Sequence, residues 1–279
     1  MSNDLDTFIA AYSDSFGYAY DNNIILNWYP QRIMALCTQA QSLLELGVGH
    51  GFSTHRFSQF FSGHTVIDGS ASVIAQFKAQ YPDNTAEIVE SYFETFDTDK
   101  RFDLIVMGFV LEHVEDPQAV LQRFKRFLAP GGRCFVLVPN GESLHRRFGH
   151  AAGLLDDMMA LGRGDLELGH VRSYSLQTLT AELEAAGLQV VRKEGVFLKP
   201  FTTGQLKELN LNADIIQGMC TVGIDYPELS CALMLEATVP SHEKPGNRKH
   251  VGHRQGCRRG VVALWPSQVG RAQGRRYRL

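Results

Sequence analysis

At 279 residues with 44% hydrophobic content, the chain can bury a substantial core, and its length suits one large domain better than two. The acidic start (Met1-Ser2-Asn3-Asp4-Leu5-Asp6) is not a signal peptide, no stretch reaches the ~20 apolar residues of a membrane helix, and five cysteines without a CxxC pair suggest neither a disulfide framework nor zinc; together these imply a cytoplasmic address. The net charge of -3 conceals an asymmetry, since residues 240–279 hold ten Lys and Arg against the single acid Glu243, leaving a strongly acidic body that argues against nucleic-acid binding there.

Residues 1–42 predict a helical cap, with Ile33, Leu36 and Leu43 at helical spacing after an aromatic stretch from Phe16 to Tyr29. Leu43-Leu44-Glu45-Leu46 then reads as a buried strand that breaks into Gly47-Val48-Gly49-His50-Gly51. Glycines at 47, 49 and 51 let the backbone turn tightly and approach a ligand that a Cβ would hold off. The third glycine follows the second by two residues, where the dinucleotide fingerprint wants three and this chain has Phe52. Ser53 to Phe61 suits a helix, His64 to Asp68 a second strand ending in an acid, and Ala71 to Tyr81 a helix stopped by Pro82. Ala86 to Val89 and Phe102 to Val106 read as strands. Asp116-Pro117 caps a helix running to Leu128, Ala129-Pro130-Gly131-Gly132 ends it, and Arg133 to Val138 supplies the next strand. Leu176 to Gly187 has helical periodicity, whereas Gln189 to Val196 and Cys231 to Val239 read as strands. Strands alternating with helices at this spacing predict an α/β fold with a mainly parallel seven-stranded sheet, helices on both faces and ligands beyond the strands' carboxyl ends. Long connections at 141–170 and 199–229 predict a lid, so the domain spans 43–239. The tail from 240, rich in Gly, Arg and Gln, reads as a disordered extension.

The glycine turn, with Glu45 before it, resembles motif I of the class I S-adenosylmethionine-dependent methyltransferases, and Asp68-Gly69-Ser70 stands where they keep their ribose acid. Phe102 to Val114 is similar to the fourth-strand motif of the branch that includes the ubiquinone-biosynthesis methyltransferases, and Leu128-Ala129-Pro130-Gly131-Gly132 to the motif after it. The resemblance, over roughly residues 40–195, implies a Rossmann-like doubly wound fold and S-adenosylmethionine as cofactor. Glu45, Gly47, Gly49, Gly51, Asp68, Gly69 and Ser70 would hold it, with Met107, Gly108 and Phe109 flanking its methionine portion. Glu90-Ser91-Tyr92-Phe93-Glu94 departs from the Asp-Ala pair of many relatives, and Tyr92 or Phe93 could pack on the purine.

Methyl transfer from a sulfonium needs donor and acceptor held in line, with a base only where the acceptor keeps its proton at neutral pH. His113 is the nearest motif-linked candidate, and His170 closes the first insertion. Some relatives hold a metal on two glutamates and two histidines, but the position three before Glu112 is Phe109, so no metal is expected. Asn140-Gly141 reads as a strand-end turn that could face the acceptor. His145, His150, Arg146 and Arg147 read as lid-surface residues, with anion binding as the alternative. Tyr18, Tyr20, Tyr29 and Arg32 either close over the cofactor or pack the cap. The function expected is methyl transfer to an oxygen or nitrogen of a small molecule. The alternatives are a non-catalytic S-adenosylmethionine-binding regulator and a nucleic-acid methyltransferase working through the tail.

Overall fold

The computed structural model describes residues 17–240; the sixteen residues before them and the basic tail from 241 lie outside the described part. The chain runs α1 (Ala19–Leu36), β1 (Ser42–Leu46), α2 (Phe52–Ser58), β2 (Gly63–Asp68), α3 (Ala71–Gln80), β3 (Glu87–Glu90), β4 (Phe102–Gly108), α4 (Pro117–Lys125) and β5 (Leu128–Pro139). It continues with α5 (Leu144–Ala151), α6 (Arg163–Glu167), α7 (Leu176–Ala185), β6 (Gln189–Val196), α8 (Thr203–Glu208), α9 (Ala213–Gly223) and β7 (Ala232–Thr238). Seven strands form one sheet in the order β3-β2-β1-β4-β5-β7-β6, with β7 antiparallel to both its neighbours and the pairings among β1 to β5 parallel.

Strand pleating divides the core. On β4, Leu104 and Val106 join Ile33 of α1 and Phe57 of α2 on one face, while Ile105 and Met107 join Phe124 of α4 and Leu183 of α7 on the other. A central strand covered on both faces has no polar side to present, which is why β4 reads as a continuous apolar run. Strand order reverses between β1 and β4, because β2 and β3 build outward from one side of β1 and β4 returns to the other. The crevice beyond the carboxyl ends of these two strands is where such a sheet takes a ligand.

The expected strands and helices are all present within the described residues, with shifted ends. α4 stops at Lys125 instead of Leu128, since β5 begins at Leu128. Phe102 pairs with Leu128 but Leu104 pairs with Arg133, so Ala129–Gly132 is accommodated as an irregularity within β5. A Cβ on Gly132 would lie 2.8 Å from the Ala129 carbonyl oxygen, which explains the second glycine. Asp116 caps α4 as expected, its Oδ1 accepting from the Ala119 N–H at 2.9 Å. The first insertion folds into α5 and α6, and the second into α8, α9 and a 3-10 turn at Pro227–Leu229.

Candidate active site

The turn after β1 places Gly47, Gly49 and Gly51 at φ of 82°, 51° and 77°, the left-handed region that favours glycine. A Cβ on Gly47 or Gly49 would meet nothing within 4 Å, so these two face open space, whereas one on Gly51 would collide with Phe77 at 2.6 Å. Asp68, at the end of β2, locks the turn. Its Oδ2 accepts from the Val48 N–H and its Oδ1 from the Ser70 N–H, each at 2.8 Å. Burial raises the Asp68 pKa, and the N–H groups of Ser70, Val48 and Gly49 oppose the rise. A carboxylate has about four lone-pair sites, so Asp68 keeps acceptor capacity for a ligand hydroxyl. Ser70 also caps α3, its Oγ accepting from the Val73 N–H at 3.1 Å.

In front of this turn opens a cavity of about 510 Å³. Gly69, Ser70, Tyr92, Phe93, Gly108 and Phe109 line it together with the glycine turn. Two of the expected residues do not line it. Met107 is 1% exposed and, by the alternation of β4, belongs to the layer under α4 and α7. Glu45 is buried below the turn, its carboxylate 3.0 Å from His64 Nε2. Of the aromatic pair, Phe93 packs edge-on against Phe124 at 6.3 Å, while Tyr92 is half exposed at the rim. A Cβ on Gly108 would strike the Tyr29 hydroxyl at 2.8 Å, so Tyr29 of the cap closes directly over the end of β4. Tyr18 also lines the cavity; Arg32 does not and instead forms a two-pronged pair with Glu194 at 2.7 and 2.8 Å.

His113 and His170 meet across the cavity wall with ring centroids 4.8 Å apart and nearly perpendicular planes. His113 keeps an exposed edge, yet the surrounding protein desolvates its ring and pushes its pKa down to about 4; His170 adds to the fall and the Gly169 backbone opposes it. Burial alone brings His170 to about 4, with Asp165 Oδ1 at 3.6 Å from its Nδ1. Glu112, next to them, is 1% exposed, and neither of its oxygens has a hydrogen-bond partner. Burial pushes its pKa up to about 8 against weak opposition from its own N–H and the Arg172 charge. Possible ligand atoms of Glu112, His113 and His170 lie within 4.8 Å of one another, so the fold supplies a third donor that the motif count at position 109 did not include.

The same cavity holds residues that no motif announced. Lys199, just after β6, is 3% exposed, and its ammonium donates to Asp21 Oδ2 of α1 and to Thr203 Oγ1; Thr203 in turn donates to the same Asp21 oxygen at 2.7 Å. Asp21 Oδ1 has no partner. The partners stand 178 residues apart in sequence, so only a lysine at the end of the short apolar run Val196-Phe197-Leu198 could have drawn attention to the pair. His145 and Arg146 also line the cavity, contrary to their reading as lid-surface residues, because α5 turns that face inward. Arg147 remains outside and pairs with Glu142 at 3.0 Å, and His150 faces the Leu155 carbonyl at 2.8 Å. Asn140 is buried and donates to the Pro227, Glu228 and Ser230 carbonyls, which makes it the clasp between β5 and the second insertion.

A glycine turn under open space, a backbone-anchored acid at the end of the adjacent strand and a strand-order reversal between them define a nucleotide-cofactor enzyme of the doubly wound class. Residues 25–193 match the family described as "Methyltransferase domain", and the chain belongs to it. It is an S-adenosylmethionine-dependent methyltransferase. Among curated relatives, it is 31% identical over 106 residues to the ubiquinone biosynthesis O-methyltransferase of Bradyrhizobium sp. (strain ORS 278), covering 37% of this chain and 42% of that protein. This match thus spans less than half of that relative's length. The enzyme of the same name from Aeromonas salmonicida (strain A449) is 28% identical over 204 residues, 70% of this chain and 80% of that protein. Among solved structures, the N-methyltransferase NodS from Bradyrhizobium japonicum WM9 in complex with S-adenosyl-L-homocysteine has a TM-score of 0.53 at 15% identity, covering 85% of this chain and 98% of that one. At that identity the likeness is one of fold.

Proposed function

We propose that the chain moves the sulfonium methyl of S-adenosylmethionine to an oxygen or nitrogen of a small-molecule acceptor. The observation that carries this reading is continuity: one cavity of about 510 Å³ joins Gly47, Gly49 and Asp68 to His113, His170 and Asn140. That volume lies in the range of small-molecule sites. The adenosyl group belongs on the glycine turn, with the ribose on Asp68, Gly69 and Ser70 beside it, and Tyr92 at the purine rim. Phe93 would contribute through packing, and Glu45 through support of the turn from beneath. Gly108 and Phe109 border the methionine portion, backed by Met107 in the core.

When bound, the cofactor supplies an electrophilic methyl group whose C–S electron pair stays with the departing sulfur. The protein supplies alignment and a place for the acceptor's proton. An oxygen receiving a methyl group becomes strongly acidic, so a neutral imidazole suffices to take its proton even when its own pKa lies near 4. His113 fills that role, with His170 edge-on beside it and the buried, uncharged carboxyl of Glu112 next to them. Both curated relatives are O-methyltransferases, which favours oxygen. The trio reads as proton-handling, with the Glu112 oxygens sealed from solvent and burial favouring its neutral carboxyl. No described helix is long and apolar enough to cross a membrane.

The test is transfer of labelled methyl to a panel of hydroxylated aromatics and their amino counterparts, run beside calorimetric titration of S-adenosylhomocysteine. Asp68→Ala and Gly49→Arg should each abolish cofactor uptake, and His113→Ala should lower kcat while uptake persists. Undiminished uptake by both cofactor-site variants would sink the reading.

A further inference from the structure

Two guanidiniums in the cavity wall, Arg146 and Arg172, have no carboxylate within ion-pair distance among the described residues, and Arg172 spends both its Nη atoms on the Leu111, Val114 and Glu115 carbonyls. Arg146 is held by backbone alone: its Nε donates to the Gly141 and Met158 carbonyls at 3.1 and 2.8 Å, and its Nη2 to the Ala160 carbonyl at 2.6 Å. Among the described residues its Nη1 has no hydrogen-bond partner and no carboxylate lies within ion-pair distance of the guanidinium. Two acids of the cavity wall are engaged elsewhere, Asp21 by Lys199 and Thr203, and Asp165 by the Gly162 N–H at 2.7 Å and the His170 ring. Three carbonyls orient and fix a guanidinium without cancelling its charge. His145, the residue before it in α5, reports the field: after desolvation, Lys199 and Arg146 are the causes that push its pKa down to about 3.

We propose that Arg146, with His145 beside it, is an anion subsite that binds a carboxylate of the acceptor at the end of the cavity away from the glycine turn. A carboxylate presents two oxygens, one to the free Nη1 and one to an imidazole that can donate from one nitrogen. The inference rests on the methyl-transfer reading for which end of the cavity is the acceptor's, and it narrows the substrate class to acids. It also explains why an arginine sits in a cavity wall whose lid could have been tied by neutral groups.

The experiment uses the full chain saturated with S-adenosylhomocysteine and compares benzoate with benzamide, which has nearly the same shape and no charge, by calorimetry and by histidine-selective NMR. Benzoate should bind at least tenfold tighter than benzamide and shift the His145 resonances. Arg146→Met should erase the preference while leaving S-adenosylhomocysteine affinity within twofold. Arg146→Lys, which keeps the charge and loses the carbonyl bonds, should keep a reduced preference, separating charge from lid anchoring. Equal binding of the two probes, absence of benzoate binding, or an unchanged preference in Arg146→Met overturns the proposal. Failure of S-adenosylhomocysteine to bind overturns the methyl-transfer reading instead, and that outcome is read in the same titration before any benzoate is added.

Discussion

Glu112 gives the sharpest quantitative test of the site. Its carboxyl ordinarily ionises at 4.5, and in the folded chain its pKa is pushed up to about 8. Between those values the unfolded chain has released a proton that the folded chain keeps, so folding loses stability as pH rises, by about 1.4 kcal/mol per unit. The contribution of the neutral carboxyl is complete below pH 4.5 and has fallen by about 4 kcal/mol at pH 8, an upper bound from which water entry through the cavity subtracts. Glu112→Gln keeps the shape and removes the titration. Urea unfolding of both proteins from pH 5 to 8 should therefore show the variant gaining at least ~2 kcal/mol on the parent over that interval, with m unchanged. His113 and His170, with pKa near 4, stay neutral throughout and leave the difference untouched. Methyl transfer at pH 7 should survive in Glu112→Gln, since the amide imitates the neutral acid. A stability difference that does not change with pH would refute the argument, because it would mean that Glu112 is ionised in the folded chain at neutral pH.

Lys199→Met should cost about 3 to 5 kcal/mol by leaving Asp21 buried and charged, and Asp21→Asn added to it should recover most of the loss in thermal unfolding. Gly51→Ala should destabilise by about 1 to 3 kcal/mol, since the new Cβ meets Phe77 at 2.6 Å in a left-handed turn; Gly51→Ala with Phe77→Leu tests whether the ring or the backbone dominates. Exhaustive chelation of divalent ions should leave turnover within twofold, and a zinc- or magnesium-dependent rise that vanishes with His170→Ala would reassign the trio as a metal site. Removal of residues 240–279 should change neither cofactor affinity nor turnover, measured side by side with the full chain.

The sequence made the frame legible because a doubly wound sheet writes itself in local signals. Strand runs, the glycine turn, the acid closing β2 and the Asp116-Pro117 cap each depend on a few neighbouring residues, and each is where the reading placed it. Side-chain direction was less legible. Met107 and Glu45 stand in motifs next to the cofactor turn, but pleating turns Met107 into the core, and His64 on the neighbouring strand takes Glu45. Residues that meet only through tertiary folding left no signal at all. Asp21 and Lys199 come from the cap and the second insertion, and His145 and Arg146 face inward because of how α5 packs, which a short amphipathic stretch does not specify.

Among the side chains that line the cavity, the buried polar atoms without a hydrogen-bond partner belong to Asp21 and Glu112 and not to the cofactor turn. At the cofactor end, Asp68 and Ser70 have their bonds made, as a preorganised cradle requires, so its geometry costs little to assemble when the ligand arrives. Away from it, Asp21 Oδ1 and both Glu112 oxygens are buried without partners. Each such group costs about 1 to 3 kcal/mol unless something completes it. A fold retains that cost where a ligand removes it, so an acceptor should stabilise this chain by more than its contact area implies. S-adenosylhomocysteine and an accepted acid should then raise the thermal midpoint by more together than the sum of their separate shifts, and strict additivity would mean that the two ends are energetically independent.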